Sequence, residues 1–249
     1  MNIKILFVRQ RINDETVQER IGQYRSMNKK VYIHYVRHGR TLFNRLGRMQ
    51  GWSDSPLEKE GIEDAMQAKE ALKDIPLKKA YTSTSERCID TAHIVLEGRD
   101  VTLVYTKKLK EISWGEYEGF LISDDPEEIN RRRLGDCDWT DVGGENPQIA
   151  VSRAKEILDR IYEEADDGDH VLVVSHGAIL MHMMRLLMGI DLNKLFSILH
   201  QRGKTGHVVI NGYAADILIE DGKYCLLDLK GNDGLYEEYK KETGQENEP

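Results

Sequence analysis

The chain has 249 residues, of which 40% are hydrophobic and 31% are charged, and its formal net charge is −8. This length suits one large domain or two small ones, and the composition is that of an ordinary globular protein. The negative charge argues against general nucleic-acid binding, but it leaves room for a small positive pocket that holds an anionic molecule.

Cysteine usage and hydropathy indicate the compartment. Cys88, Cys137 and Cys225 lie far apart and form no CxxC pair, which is typical of a reduced protein without a disulfide framework. The longest apolar stretch is interrupted by His182 and Arg185, and it is shorter than the roughly 20 residues that a membrane span needs. We therefore expect a cytoplasmic protein without a membrane partner.

The first 26 residues precede the first clear strand pattern, and Met27 stands directly before that strand. Residues 1–26 are either an extension upstream of an alternative start at Met27 or an extra element packed on the domain. We place the main domain at residues 27–230. The segment 231–249 is polar and charged, and we expect it to fray as a C-terminal tail.

Strand and helix patterns alternate along the main domain. Apolar and β-branched runs predict strands over 31–36, 78–84, 101–105 and 170–175, with late candidates at 207–210, 214–219 and 223–228. Apolar residues at helical spacing predict helices over 55–74, 85–98, 145–165 and 177–189. Residues 107–144 show no clear period and are predicted to be irregular. This alternation predicts a three-layer α/β/α sandwich with a mostly parallel central sheet.

Two of the predicted strands end in a histidine followed by a glycine. The first runs into Arg37 and His38 in YVRHGRT, and the second runs into His176 in VLVVSHGA. Taken singly, each pair is explained by a glycine turn at a strand end. Because ligands of such sheets collect beyond the carboxyl ends of the strands, we expect the two histidines to face one site.

Two further residues fit an anion-binding site. Arg87 lies in the first turn of a predicted helix, where the helix dipole disfavours a cation unless an anion binds between them. Glu111 follows a predicted strand, in LKEISWGEYEG. The alternative for each is an ordinary solvated surface side chain.

These blocks together resemble the histidine phosphatase superfamily, which includes phosphoglycerate mutases and broad-specificity phosphatases. RHG at 37–39 matches its signature, and the sequence up to GWSDSPL follows at the family's spacing. YTSTSERCIDTA, LKEISWGEYEG and VVSHGA are similar to its later blocks, in order, over about residues 30–220. Arg40 and Thr84 depart from residues that are frequent in the family, which leaves substrate choice in doubt.

The resemblance implies a phosphoglycerate mutase-like fold and a role for each matching residue. His38 is the expected nucleophile that forms a phosphohistidine, and Glu111 is the expected proton donor and acceptor. The remaining expected site residues surround or bind the phosphoryl group: Arg37, Asn44, Gly51, Arg87, His176 and Gly177. The resemblance also implies that no metal or cofactor is needed, because the cationic pocket stabilises the phosphoryl group. The sequence agrees, since it has no HExxH motif or other clear ligand cluster.

Three functions are compatible with these residues. The first is a phosphatase that hydrolyses small-molecule phosphate esters, the second is a cofactor-dependent phosphoglycerate mutase, and the third is a sensor that binds a phosphorylated ligand without reaction. The compact segment between Glu111 and His176 favours the phosphatase, because a short cover admits water. We interpret Arg131, Arg132 and Arg133 as a solvated helix face, with binding of a second anionic group as the alternative.

Several features remain open or receive no role. The sequence does not decide which of Trp114, Tyr117 and Trp139 face the substrate, nor the oligomeric state. RGKTG at 202–206 is not a P-loop, because Ile198 stands where the motif needs a glycine. No role is assigned to the remaining histidines, which are His34, His93, His170, His182, His200 and His207.

Overall fold

Six strands form one mixed sheet in the computed structural model, which describes residues 29–134, 136–203 and 208–245. The strands are β1 (Lys30–Arg37), β2 (Leu77–Ser83), β3 (Thr102–Thr106), β4 (Asp169–Ser175), β5 (Gly212–Glu220) and β6 (Lys223–Leu229). Their order is β3-β2-β4-β1-β5-β6. The first three pairs in this order are parallel and the last two are antiparallel. The predicted extension 1–26 lies outside the described residues.

Helices cover both faces of the sheet. They are α1 (Leu42–Leu46), α2 (Lys59–Ala71), α3 (Glu86–Leu96), α4 (Pro126–Leu134), α5 (Pro147–Glu164), α6 (Gly177–Leu187), α7 (Leu192–Gln201) and α8 (Leu235–Thr243). The smaller hydrophobic core joins α2 and α3 to one face, and the larger core joins α5 to α8 to the other. The predicted three-layer α/β/α architecture is confirmed. None of the described helices is both long and apolar enough to cross a membrane.

Alternating side chains of β1 explain the two cores. Val31, Ile33 and Tyr35 point into the larger core, and Val36 points into the smaller one. Successive residues of a strand face opposite sides of the sheet, so a strand covered by helices on both faces reads as an almost continuous apolar run. This is why the run 31–36 was recognisable as a buried strand.

The structure corrects three expectations about elements. The segment 107–144, predicted to be irregular, contains helix α4. Residues 208–210 are not a strand. The C-terminal segment does not simply fray, because α8 buries Leu235, Tyr236 and Tyr239 against the larger core.

The sheet brings the carboxyl ends of β1, β2 and β4 to one edge. Arg37 at the end of β1 is paired in register with Ser175 at the end of β4, and the His38 N–H donates to the Ser175 carbonyl at 3.0 Å. Thr82 of β2 is paired with Val174 on the other side of β4. The segments that follow these three strands therefore start side by side.

Candidate active site

A cavity of about 440 Å³ opens at the carboxyl edge of the sheet. Its walls come from the turn after β1, the start of α3, the loop at Glu111 and the first turns of α6. Every predicted site residue except His176 lines this cavity. The predicted convergence of the two strand ends, of Arg87 and of Glu111 is therefore found in the structure.

His38 is poised with one ring nitrogen occupied and the other available. Its side chain is buried, and Nδ1 lies 2.9 Å from the Gly39 carbonyl oxygen, which only accepts hydrogen bonds. The proton is thus on Nδ1, and Nε2 carries the lone pair. Burial, followed by the charges of Arg87 and Arg37, holds the pKa of His38 well below its ordinary value. The imidazole is therefore neutral at neutral pH.

Arg87 is buried beneath the cavity and fixed by four hydrogen bonds. Nη1 donates to the Ser53 carbonyl at 2.8 Å and to Asp54 Oδ1 at 2.9 Å. Nη2 donates to the Gly51 carbonyl at 2.8 Å and to His176 Nδ1 at 2.9 Å. Its Nε is buried without a hydrogen-bond partner. The guanidinium is thus rigidly placed, with one donor still unused.

Arg37 provides a second cation with an unused donor. Its Nη1 donates to the Val209 carbonyl at 2.8 Å, and its Nε is buried without a partner. Gly177 makes room for this side chain, because a Cβ at residue 177 would lie 3.0 Å from Arg37 Nε. The glycine after the second histidine is therefore needed for close packing of Arg37 against the start of α6.

His176 lies behind Arg87 rather than on the cavity wall. Its side chain is fully buried, and its ring centroid is 5.3 Å from that of His38. Because Arg87 only donates, His176 Nδ1 accepts, and Nε2 donates to Ser83 Oγ at 2.8 Å. Burial, followed by the charge of Arg87, lowers the pKa of His176 well below its ordinary value. Its direct contact with a phosphoryl group stays a prediction.

Glu111 is held at the N-terminus of α6. One carboxylate oxygen accepts from the backbone N–H of Ile112 at 3.0 Å and of Ile179 at 2.8 Å, and the other accepts from Ala178 N–H at 2.9 Å. The carboxyl group accepts from N–H groups that a helix start leaves open, and these hydrogen bonds fix its position beside the cavity. It is the one acidic side chain among the described cavity-lining residues.

Asn44 and Gly51 are placed by tight local structure. Thr41 and Asn44 form a capping box at the start of α1, in which Asn44 Oδ1 accepts from Thr41 N–H at 3.1 Å. Gly51 has φ +48°, and a Cβ there would overlap Trp114 and Glu118. Only glycine fits this turn, which directs the Gly51 carbonyl to Arg87.

The structure shows which of the aromatic and arginine residues left open by the sequence line the cavity. Trp114 lines the cavity, whereas Trp139 is fully buried in the larger core. The Arg132 guanidinium packs over the Trp139 ring at 5.3 Å and binds Asp141, so the solvated-face interpretation is wrong for Arg132. Arg131 is exposed and paired with Glu128, and Arg133 is exposed and borders the cavity.

Gln50 and His182 are among the cavity-lining residues that were not predicted from the sequence. Gln50 is 7% exposed, its Oε1 accepts from the Thr41 hydroxyl at 2.7 Å, and its Nε2 is buried without a partner. His182, also 7% exposed, projects into the cavity wall from α6. Gln50 gave no signal beyond its place in a glycine turn. His182 lies four residues after Ala178 and so shares a face of α6 with it, but this spacing alone does not show that the face borders a cavity.

No group of three or more His, Cys, Asp and Glu side chains within the described ranges is arranged to hold a metal ion. Metal independence of the reaction stays a prediction.

The chain is similar to known proteins in sequence and in fold. The family model for the histidine phosphatase superfamily (branch 1) matches residues 33–219. The chain is 32% identical over 162 residues to the probable phosphoglycerate mutase GpmB of Salmonella paratyphi A, covering 64% of this chain and 75% of that protein. It is 31% identical over 163 residues to 2,3-bisphosphoglycerate-dependent phosphoglycerate mutase 2 of Gloeobacter violaceus, covering 61% and 74%. The crystal structure of phosphoglycerate mutase from Bacillus anthracis str. Sterne superposes with a TM-score of 0.68 at 28% identity, covering 85% of this chain and 97% of that one.

Proposed function

This chain belongs to the histidine phosphatase superfamily, and we propose that it hydrolyses small-molecule phosphate monoesters through a phosphohistidine on His38. The observation that carries the proposal is the state of His38. Its ring is neutral, its Nδ1–H is held by the Gly39 carbonyl, and no described residue hydrogen-bonds its Nε2. A neutral imidazole with a fixed tautomer is suited to attack phosphorus in line.

Buried donors around His38 support binding of the phosphoryl group. Arg37 Nε, Arg87 Nε and Gln50 Nε2 are all buried without protein partners, and their residues line the same cavity. An unsatisfied buried donor is costly, so the site gains free energy when a ligand oxygen accepts from it. In the proposed complex these donors bind the equatorial phosphoryl oxygens, which carry the negative charge of the transition state.

Glu111 completes the proposed reaction. Nε2 of His38 bonds to phosphorus as the bond to the ester oxygen breaks, and protonated Glu111 gives its proton to the departing alcohol. The resulting carboxylate then takes a proton from water, whose oxygen attacks phosphorus and releases phosphate and neutral His38. His176 supports both steps by accepting from Arg87 and so fixing that guanidinium.

We also propose the substrate class, the metal independence and the compartment of this reaction. The partner is a small-molecule phosphate ester, no metal takes part, and the compartment is the cytoplasm. The supporting observations are the dominance of arginine over acid on the cavity wall and the wide spacing of the three cysteines in the sequence, which form no CxxC pair.

A phosphoglycerate mutase is the second candidate. Arg133 borders the cavity and has no acidic partner within the described residues, so it is available for a second anionic group of a substrate. The two curated relatives named above are described as phosphoglycerate mutases. A mutase would return the phosphoryl group from His38 to a substrate hydroxyl instead of to water.

The test is phosphate release from a panel that includes 3-phosphoglycerate and an aryl phosphate, with and without a chelator of divalent metals. We expect wild type to release phosphate in both conditions and His38→Ala to release none above background. His93→Ala, at an exposed histidine of α3, is the matched control and should keep wild-type activity.

The outcomes separate the candidates. Interconversion of phosphoglycerates without net phosphate release would support the mutase and contradict the phosphatase. Loss of activity with the chelator would contradict the metal-independent reaction. Tight phosphate binding with neither activity would leave only the sensor.

A further inference from the structure

His182 lies farther along α6 than Gly177, which is at the reacting end of the cavity. It lies five residues after Gly177 on α6, which corresponds to about 7.5 Å along the helix axis. Ala178 and Met181 of the same helix face also line the cavity. A substrate whose phosphoryl group sits between His38 and the start of α6 therefore extends its alcohol portion past His182.

The chemistry of His182 is that of a neutral hydrogen-bonding group without a partner. The side chain is 7% exposed, and Nδ1 is buried with no hydrogen bond. Burial, followed by the charge of Arg185, lowers the pKa of His182 to about 4. At neutral pH one ring nitrogen is thus a donor and the other an acceptor. The proposed reaction uses neither.

The neighbours of His182 indicate the kind of group that it contacts. The phosphoryl group is already matched by Arg37 and Arg87 at the inner end. Met181 and Cys137, which line the same cavity, are weakly polar or apolar, and Arg185, whose charge acts on His182, is not among the described residues that line the cavity. A neutral imidazole has no net charge to attract a carboxylate, but it pairs well with a hydroxyl, which also donates and accepts.

We propose that His182 is a specificity-determining residue that hydrogen-bonds a hydroxyl on the alcohol portion of the substrate, two or three carbons from the ester oxygen. The preferred substrates are then phosphate monoesters of polyols rather than of simple alkyl alcohols. This inference rests on the proposed phosphatase function. A site with a buried polar group rejects an analogue that lacks the matching hydroxyl, because that group stays unpaired.

The experiment compares kcat/KM for glycerol 1-phosphate and propyl phosphate, which share a three-carbon chain. Wild type should prefer the glycerol ester by about tenfold or more. His182→Phe keeps a ring but no hydrogen-bonding group, and it should bring the ratio close to one. His182→Gln keeps a donor and an acceptor and should recover part of the preference. A purely structural role would lower both values and leave the ratio unchanged.

His200→Phe, at an exposed histidine on α7, is the matched control and should keep the wild-type ratio. A wild-type ratio near one, or the same ratio in folded His182→Phe as in wild type, overturns the inference while the phosphatase function stands. Hydrolysis of an aryl phosphate but of neither three-carbon ester also overturns it. Failure to hydrolyse any ester refutes the proposed function itself.

Discussion

At the scale of single residues, the neutral state of His38 is produced by burial together with groups that are partly adjacent and partly distant in sequence. The residue next to it supplies the carbonyl that fixes the ring proton, as the RHG motif allows. The low pKa comes from burial and from the positive charges of Arg87 and Arg37, and Arg87 arrives from α3. The motif therefore indicates the proposed nucleophile, whereas the protonation state of His38 depends on the assembled fold.

Removal of the charge at residue 87 should raise the pKa of His38. The low pKa in wild type means that the neutral form persists as the pH falls below 6.5, and protonation occurs only at more acidic pH. In Arg87→Gln the largest repulsive charge on the imidazolium is gone, so the pKa should move up towards 6.5. NMR titration of the His38 ring signals measures both values.

Arg40→Gln is the control for this titration, because exposed Arg40 borders the cavity but does not contribute to the low pKa of His38. It should leave the titration unchanged. A wild-type His38 that titrates at or above pH 6.5 would contradict the neutral-nucleophile account.

At the scale of elements, the turn after β1 is pressed against the start of α2. A Cβ on Gly39 would overlap the Gly61 carbonyl, and a Cβ on Gly61 would overlap the Arg40 carbonyl. Gly39 N–H also donates to Thr91 Oγ1 of α3 at 3.0 Å. Two glycines thus allow backbone-to-backbone packing that holds His38 in place.

Gly61→Ala should destabilise the fold, although alanine is the better helix former. An unhindered Gly→Ala change inside a helix would stabilise by up to about 1 kcal/mol. Here the backbone must shift to admit the methyl group, and we expect a net loss of about 1–3 kcal/mol in the free energy of unfolding. Urea unfolding measures it. Gln67→Ala, on the exposed face of the same helix, is the control and should stay within about 0.5 kcal/mol of wild type in the free energy of unfolding. Equal stability of the two variants would contradict the close backbone packing at Gly61.

A polar cluster links the strands at a distance from the cavity. His34 of β1 contacts Asp216 Oδ1 of β5 through Nδ1 at 2.7 Å and His170 of β4 through Nε2 at 2.8 Å. Lys230, after β6, pairs with Asp216 at 2.9 Å. Burial alone would raise the pKa of Asp216, but hydrogen bonds from His34, Tyr213 and Lys230 outweigh it and lower the pKa to about 2.

Asp216→Asn should therefore cost stability in a pH-dependent way. A lowered carboxyl pKa stabilises the fold above the ordinary pKa of about 3.8, and this contribution is lost as the pH falls towards 2. The difference of nearly two pKa units corresponds to about 2 kcal/mol at pH 7. Urea unfolding from pH 7 down to pH 2.5 should show the two proteins converge. Asp228→Asn, at a more exposed partner of Lys230, is the control and should change the free energy of unfolding little. A loss of stability in Asp216→Asn that does not depend on pH would show that the lowered pKa of Asp216 is not its cause.

At the scale of the whole molecule, the sequence allowed the layered fold and the chemical core of the site to be predicted. The strands were visible because burial on both faces makes them continuously apolar. The blocks that carry the proposed site residues were visible because each follows a strand or opens a helix. Helix α4 was missed because it buries the side chain of one described residue, Ile129, and is otherwise held by ion pairs such as Glu128–Arg132. Helix α8 was missed because only three of its nine residues are buried.

The unpredicted parts of the site have a common physical reason. Gln50, His182 and the placement of His176 behind Arg87 depend on which faces the packed elements present to one cavity. A helical period places His182 on the same face as Ala178, but it does not show that this face borders a cavity rather than the core. Such information becomes available only when α6, the turn after β1 and the end of α4 are assembled.

The most direct test of the account is detection of the phosphorylated intermediate. The enzyme is mixed rapidly with a phosphate ester that it hydrolyses, and the reaction is quenched in alkali, in which phosphohistidine is stable. The peptide that contains His38 should then carry one phosphoryl group. Mass spectrometry should find it in wild type and not in His38→Ala. Phosphate release without any phosphorylated peptide, or with the phosphoryl group on another residue, would contradict the assignment of His38 as the nucleophile.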